Sequence, residues 1–173
     1  MTLLPLAPEH APALFPLLND WDVVRMLAQV PWPIAPGDVE AHARRSSEEG
    51  AESDDFAIVV EETIVGCASI KRIGTGNPPR QMPRLGFWIG RRYWNRGYGR
   101  QVVAKLVERA FRENPGDRIG AGVFHDNPAS RHVLEIFGFE KTGRYETYSL
   151  ARGVAVLTSD MQLSRARWRG AEA

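Results

Sequence analysis

This chain of 173 residues is poor in cysteine, in net charge and in long apolar runs, and each lack excludes something. One cysteine, Cys67, rules out an intrachain disulfide and a thiolate metal cluster; it sits in the apolar run Ile64-Val65-Gly66-Cys67-Ala68-Ser69-Ile70, which suits a reducing compartment. A formal net charge of +1 is not the basic excess that broad nucleic-acid binding shows, so no nucleic-acid partner is expected. No apolar stretch approaches the length of a bilayer span, and Glu9 follows the first apolar residues without a basic region ahead of them. Neither a membrane association nor a signal peptide is therefore expected, and a cytoplasmic location is the natural reading. There is no internal repeat, low-complexity tract or linker. With 43% hydrophobic and 25% charged residues, the chain reads as one globular domain over residues 1–173.

What is present is concentrated in one stretch. The apolar Leu85-Gly86-Phe87-Trp88-Ile89-Gly90 runs through Arg91 to Asn95 into Arg96-Gly97-Tyr98-Gly99-Arg100, and that turn opens an amphipathic helix. The first amides of such a helix have no intrahelical acceptor, and with the positive end of the dipole they form an anion site. Glycines let a phosphate come close to the backbone. Arg91, Arg96 and Arg100 add charge, so a phosphate or pyrophosphate ligand is expected. In the helix itself Val102, Val103, Leu106, Val107, Ala110 and Phe111 repeat at helical spacing and read as core.

Elsewhere, a strand is expected over Thr2 to Leu6. A helix over Pro8 to Leu18 is shortened or broken by Pro12 and Pro16, and Asn19 or Asp20 caps a second over Trp21 to Leu27. Pro31-Trp32-Pro33 forms an exposed connection, and a polar helix capped by Asp38 runs to about Glu49. Phe56 to Glu61 and Thr63 to Arg72 alternate as a hairpin. Gly74 to Pro83 reads as a loop, Arg84 to Ile89 and Arg118 to Phe124 as strands. Asn127-Pro128-Ala129-Ser130 starts a helix ending at Gly138. Lys141 to Leu150 and Val154 to Leu163 form a last antiparallel pair around Arg152-Gly153. Strands at both ends and a strand–helix–strand–helix middle give an α+β domain with a mixed sheet.

Asn127 followed by Pro128 is a favoured helix start by local rules. Two strand-fed helix N-termini now stand in tandem, where ligands of such sheets tend to bind. In these residues the sequence resembles the GNAT N-acetyltransferases, and within them the RimJ/RimL-like branch: Gly86-Phe87-Trp88-Ile89, then Tyr93-Trp94-Asn95-Arg96-Gly97-Tyr98-Gly99, then Asn127-Pro128-Ala129-Ser130 through Gly138-Phe139. The resemblance implies a mixed, mostly antiparallel central sheet flanked by helices. It implies acetyl-CoA as co-substrate, no metal, and an amine acceptor that is a protein N-terminus or a small molecule. The amides from Arg96 to Arg100 would cradle the pyrophosphate, Trp88 and Ile89 would pair with the pantetheine arm as an added strand does, and Asn127 would hydrogen-bond it.

Acetyl transfer needs a route for the amine proton, an oxyanion donor and, for the thiolate, a proton. The backbone near Ile89 or Gly90 is the implied oxyanion donor. Ser130 stands where this branch carries a serine near the CoA sulfur; Leu134 replaces the tyrosine that many relatives carry. Arg84 replaces the glutamate that relatives often place before the central strand's Gly, and arginine is no base at neutral pH. His125 and Asp126, just after the strand bordering the thioester, are the remaining catalytic candidates. An α-amine of low pKa could instead lose its proton through water, and Arg84 could meet a carboxylate on the acceptor. Trp21, Trp32, Tyr145 and Tyr148 are candidates for acceptor selection. Two other readings compete: a dinucleotide-binding domain, since Gly97-x-Gly99 and Asp117 match two parts of that fingerprint although Val102 takes the third glycine's place, and a non-catalytic acyl-CoA-binding regulator. Monomer and homodimer both fit.

Overall fold

The computed structural model describes residues 1–76 and 80–168. Seven strands form a sheet: β1 (Thr2–Pro5), β2 (Ser53–Val60), β3 (Thr63–Lys71), β4 (Arg84–Ile89), β5 (Arg118–Phe124), β6 (Glu140–Ser149) and β7 (Val154–Ser164). Five α-helices accompany them: α1 (Ala11–Leu18), α2 (Trp21–Val24), α3 (Pro36–Ser46), α4 (Tyr98–Glu113) and α5 (Pro128–Ile136). The order across the sheet is β1-β2-β3-β4-β5-β7-β6, and every neighbouring pair is antiparallel except β4–β5. The last hairpin therefore inserts its second strand, β7, beside β5 and leaves β6 at the edge.

Alternation divides the sheet into two faces. On one, Leu85, Ile89, Ile119, Ala121, Val123, Met161 and Leu163 meet the apolar stripe of α4 and Leu134 of α5. Val102, Val103, Leu106, Val107 and Ala110 of α4 are fully shielded from solvent. At about 1.5–3 kcal/mol for each large side chain, this layer carries most of the stability. On the other face, α1, α2 and α3 cover β1 to β3 through a second cluster with Leu14, Leu18, Val24, Val39, Ala57 and Cys67. Cys67 is buried and unbridged, and burial pushes its thiol up to about 12.

The N-terminal helices depart from the expected boundaries. Pro8–His10 is a 3-10 turn, and α1 begins only at Ala11 with Pro12 in its first turn. Asp20 does cap α2, accepting from the Asp22 amide at 2.9 Å, but α2 stops at Val24 rather than Leu27. Asp38 is not the cap of α3: it lies one turn in, where its carboxylate accepts from the Ala35 amide at 2.9 Å, and α3 ends at Ser46, short of Glu49. Residues 77–79 of the expected Gly74–Pro83 loop lie outside the described residues.

Candidate active site

The feature that matters is where β4 and β5 part. They pair in parallel only at Arg84 with Gly120 and Leu85 with Ala121. Beyond that, β4 stays with β3 as far as Ile89, while β5 stays with β7 as far as Phe124. The result is a V-shaped gap inside the sheet with its vertex at Arg84.

Strand parity decides which backbone groups face the gap. The Gly120 amide donates to the Pro83 carbonyl on the β5 side, and the Gly90 amide donates to Val65 on the β3 side. Odd positions of β4 thus address β5 and even positions address β3. Phe87 and Ile89 present their amides to the gap, whereas the Trp88 groups are turned toward β3 and its side chain packs in the α1–α3 cluster. In the strand around Trp88 and Ile89 expected to meet an extended ligand, the amides turned to the gap are therefore those of Phe87 and Ile89, and Gly90 is engaged with Val65. The Ile89 carbonyl is already taken by the Trp94 indole, which donates to it at 2.7 Å.

The Gly-rich turn sits at the open edge. Gly97 caps α4 with φ of 75°, a conformation that penalises any side chain, and nothing lies within 4 Å of the place a Cβ would take. The first intrahelical bond runs from the Gln101 amide to the Gly97 carbonyl, so Tyr98, Gly99 and Arg100 expose their amides in a row. Arg96 and Arg100 are exposed beside them, and Arg92 and Arg96 both lie against the Tyr93 ring. Arg91 turns away and pairs with Asp22 of α2 at 3.1 Å.

Across the gap, Asn127 caps α5: its Oδ1 accepts from the Ser130 amide at 3.1 Å, leaving its amide hydrogens for another partner. Ser130 is half-buried in the first turn of α5. His125 is exposed, its backbone amide bound to Leu157. Asp126 is held in a fork by Arg152, at 2.8 and 3.2 Å, with Arg25 at 3.6 Å. Partial burial pushes its carboxyl up, but the Arg152 hydrogen bond and charge outweigh this and hold it below the usual range. A carboxylate so engaged is a poor base.

At the vertex, Arg84 donates to Asp160 at 2.7 Å and touches the Tyr145 hydroxyl at 3.3 Å. Thr142 and Gln162 donate to the same Asp160 carboxylate. Burial pushes the Asp160 carboxyl up, but the hydrogen bonds from Gln162, Arg84 and Thr142 prevail and lower it. Gly122 makes room for this cluster, since the Tyr145 hydroxyl stands 2.6 Å from where its Cβ would be. Of the aromatic candidates, Tyr145 joins the vertex, Tyr148 alternates to the opposite face, and Trp21 and Trp32 meet edge-to-face at 5.7 Å. Sequence reading missed Asp160, Arg152 and Trp94; only Trp94 had a local signal, its place inside the turn. Among the described residues no cluster of His, Cys, Asp or Glu could hold a metal ion, and no helix is long and apolar enough to cross a membrane.

A split parallel pair flanked by two helix N-termini matches a known family. Its profile, described as Acetyltransferase (GNAT) domain, matches residues 1–140. The chain belongs to the GNAT family. A protein of Bacillus licheniformis named uncharacterized N-acetyltransferase p20 is 29% identical over 104 residues, which is 59% of this chain and 57% of that one. The chain thus spans little more than half the length of that curated relative. Among solved structures, the microcin self-immunity acetyltransferase MccE, in complex with acetyl-CoA and AMP, shares the fold with a TM-score of 0.77 at 20% identity, covering 94% of this chain and 91% of that one. RimL, a ribosomal α-N-protein acetyltransferase in complex with coenzyme A, does so with a TM-score of 0.77 at 18% identity over 94% and 92%. This GNAT chain therefore has the family's α+β fold, with the V-shaped gap between β4 and β5 lying inside its sheet.

Proposed function

We propose that this GNAT protein is an acetyl-CoA-dependent N-acetyltransferase of the RimJ/RimL-like branch, moving an acetyl group to a primary amine by direct attack in a ternary complex. The observation that carries the reading is the gap between β4 and β5, bordered by inward amides of Phe87 and Ile89 and by the unpaired amides of Tyr98, Gly99 and Arg100. Those features fit one long ligand with a pyrophosphate at one end and secondary amides along its arm. Acetyl-CoA supplies an activated acyl group as a thioester. The α4 N-terminus with Arg96 and Arg100 would hold the pyrophosphate, Phe87 would pair with the pantetheine arm while the Ile89 N–H is left for the acyl end, and the free amide hydrogens of Asn127 would reach the arm from the other side.

The chain's residues then divide the chemistry. As the amine nitrogen bonds to the acyl carbon, the Ile89 N–H would stabilise charge developing on oxygen. As the carbon–sulfur bond breaks, the Ser130 hydroxyl would give a proton to the departing sulfur and regain one from water. Arg84 and Asp126 are both committed to ion pairs, and His125 is exposed, so the proton lost by the amine goes to water. Such a route favours an amine of low pKa, and with it a peptide α-amine over a lysine side chain. The RimL-like neighbour supports the protein N-terminus as acceptor, with a small-molecule amine as the second possibility. A non-catalytic acyl-CoA-binding regulator is not favoured.

Calorimetric titration with acetyl-CoA, with NAD as control, tests the donor site. Acetyl-CoA alone is expected to bind, and release of free CoA thiol in the presence of peptides with free N-termini then tests transfer. Binding of NAD instead would overturn the reading. Gly99→Val is expected to weaken acetyl-CoA binding about 100-fold, or about 2.7 kcal/mol. The nearest neighbours of a Cβ at Gly99 are Phe87 and Val133, both at 3.6 Å, an ordinary contact, so the variant is expected to stay folded.

A further inference from the structure

The gap that the sheet opens is bridged again on the face away from α4. Arg152, in the turn between β6 and β7, is the centre of the bridge. Its side chain is only 15% exposed. Its Nη1 and Nη2 donate to the two oxygens of Asp126 at 2.8 and 3.2 Å, its Nε donates to the Arg25 carbonyl at 2.6 Å, and its guanidinium lies 5.1 Å from the centre of the Phe124 ring. Beside it, the Leu150 amide donates to the Ala28 carbonyl at 2.9 Å. These contacts join two different parts of the molecule. Asp126 and Phe124 end β5. Arg25 and Ala28 belong to the segment from α2 onward, which rides on the β4 half: Leu17 of α1 packs directly over Gly90 at the end of β4, and Trp88 of β4 lies against the same apolar cluster as α1 and α2. The chain of charges continues from Asp126 to Arg25 at 3.6 Å, from Arg25 to Asp22 at 3.5 Å, and from Asp22 to Arg91 at 3.1 Å, back to a residue two positions beyond β4.

We propose that Arg152 is a positioning residue that straps the two lips of the gap together and sets which amines reach the thioester. The inference rests on the acetyl-transfer reading above. The strap closes the wide end of the V, opposite the vertex at Arg84, and so limits the room left for an acceptor. The acceptor class that fits is a slender, unbranched primary amine or an extended peptide N-terminus; a polycyclic amine does not pass. A bidentate fork and a backbone bond from one half-buried guanidinium hold the two lips more firmly than exposed pairs would.

The test compares the wild-type protein with Arg152→Ala, Arg152→Lys and, as a variant that keeps the shape of the partner, Asp126→Asn. Calorimetry first establishes that each folded variant binds acetyl-CoA within twofold of the wild type. Transfer is then measured on three probes: a hexapeptide with a free N-terminal serine, spermidine, and the aminoglycoside kanamycin. The wild type is expected to favour the peptide or spermidine over kanamycin by at least tenfold in kcat/KM. Arg152→Ala and Asp126→Asn are expected to raise the KM of the preferred acceptor at least fivefold, to leave the KM of acetyl-CoA unchanged and to narrow the preference, with Arg152→Lys recovering part of both. A fall in kcat with acceptor KM and preference unchanged overturns the proposal. If the wild type transfers to no probe, the transfer reading fails on its own, and the strap is judged by amine-independent hydrolysis of bound acetyl-CoA. A rise of at least threefold in Arg152→Ala supports it, and an unchanged rate refutes it. If the wild type binds no acetyl-CoA, both fall together.

Discussion

The two faces of the sheet around the β4–β5 gap are built on different principles. On the α4 face the strands are held by a layer of shielded Val, Leu, Ile and Phe side chains, each touching several others. On the opposite face, at the vertex and at the mouth, they are held by two ion pairs, Arg84–Asp160 and Arg152–Asp126, with a few hydrogen-bonding neighbours. An apolar layer is non-directional and spreads the loss of any one member. A charged pair fixes a distance and an angle but depends on both of its partners. The dry face supplies stability that tolerates a parted pair of strands, and the polar face determines how far they part.

The largest test of that contrast is Leu106→Ala, at a fully shielded position of α4. It is expected to cost about 3 kcal/mol in urea denaturation, because deleting buried methyl groups leaves a cavity as well as a lost transfer term. Next is Arg84→Met, which leaves the partly buried Asp160 carboxylate without its cation. A loss of about 2 kcal/mol is expected from the same denaturation series; a loss as large as that of Leu106→Ala would mean that the vertex, not the core, holds the sheet. Asp126→Asn is expected to cost about 1 kcal/mol at neutral pH and to change the acid limb. The Asp126 carboxyl is held below its ordinary value in the folded chain, so its stabilisation is present above the usual carboxylate range and is lost as pH falls through the lowered value. Stability curves measured from pH 7 to pH 3 are expected to fall less steeply in the variant, and identical slopes would contradict the assignment. The smallest effect is expected at the exposed i,i+4 pair of α4, Arg109 with Glu113. Glu113→Gln is expected to change stability by less than about 0.5 kcal/mol, which separates surface pairing from the pairs that span the gap.

Much of this was readable in the sequence where the signal is local. The stripe of Val102, Leu106 and Val107 dictates α4, the glycines at 97 and 99 dictate the turn before it, and Asn127-Pro128 dictates the start of α5. Alternation located both hairpins. What the sequence hid shares a cause. Whether Trp88 or Phe87 faces the gap depends on which neighbour takes which edge of β4, and that parity is set by Val65 and Gly120, far away in the chain. Arg84 could be read as an unusual residue at its position, but not as the partner of Asp160, 76 residues later. Asp126 looked available because Arg152 lies 26 residues on, in a turn whose composition advertises only a turn. Short helices failed for a local reason: Asp38 satisfies capping chemistry from inside the helix as well as from its start, so the residue type fixed the element but not its boundary.

The lone thiol of Cys67 has a use that follows from its position. It is packed between the sheet and the α1–α3 layer, and its protonated form is inert toward alkylating reagents. Labelling it requires that this layer lift away from β3. The chain therefore carries a natural clock for one half of its architecture: the rate at which an alkylating reagent consumes the sulfhydryl reports how often the N-terminal cover opens, without any engineered probe. Comparing that rate with and without coenzyme A would show whether a ligand at the far edge of β4 quiets motion on the other side of the sheet.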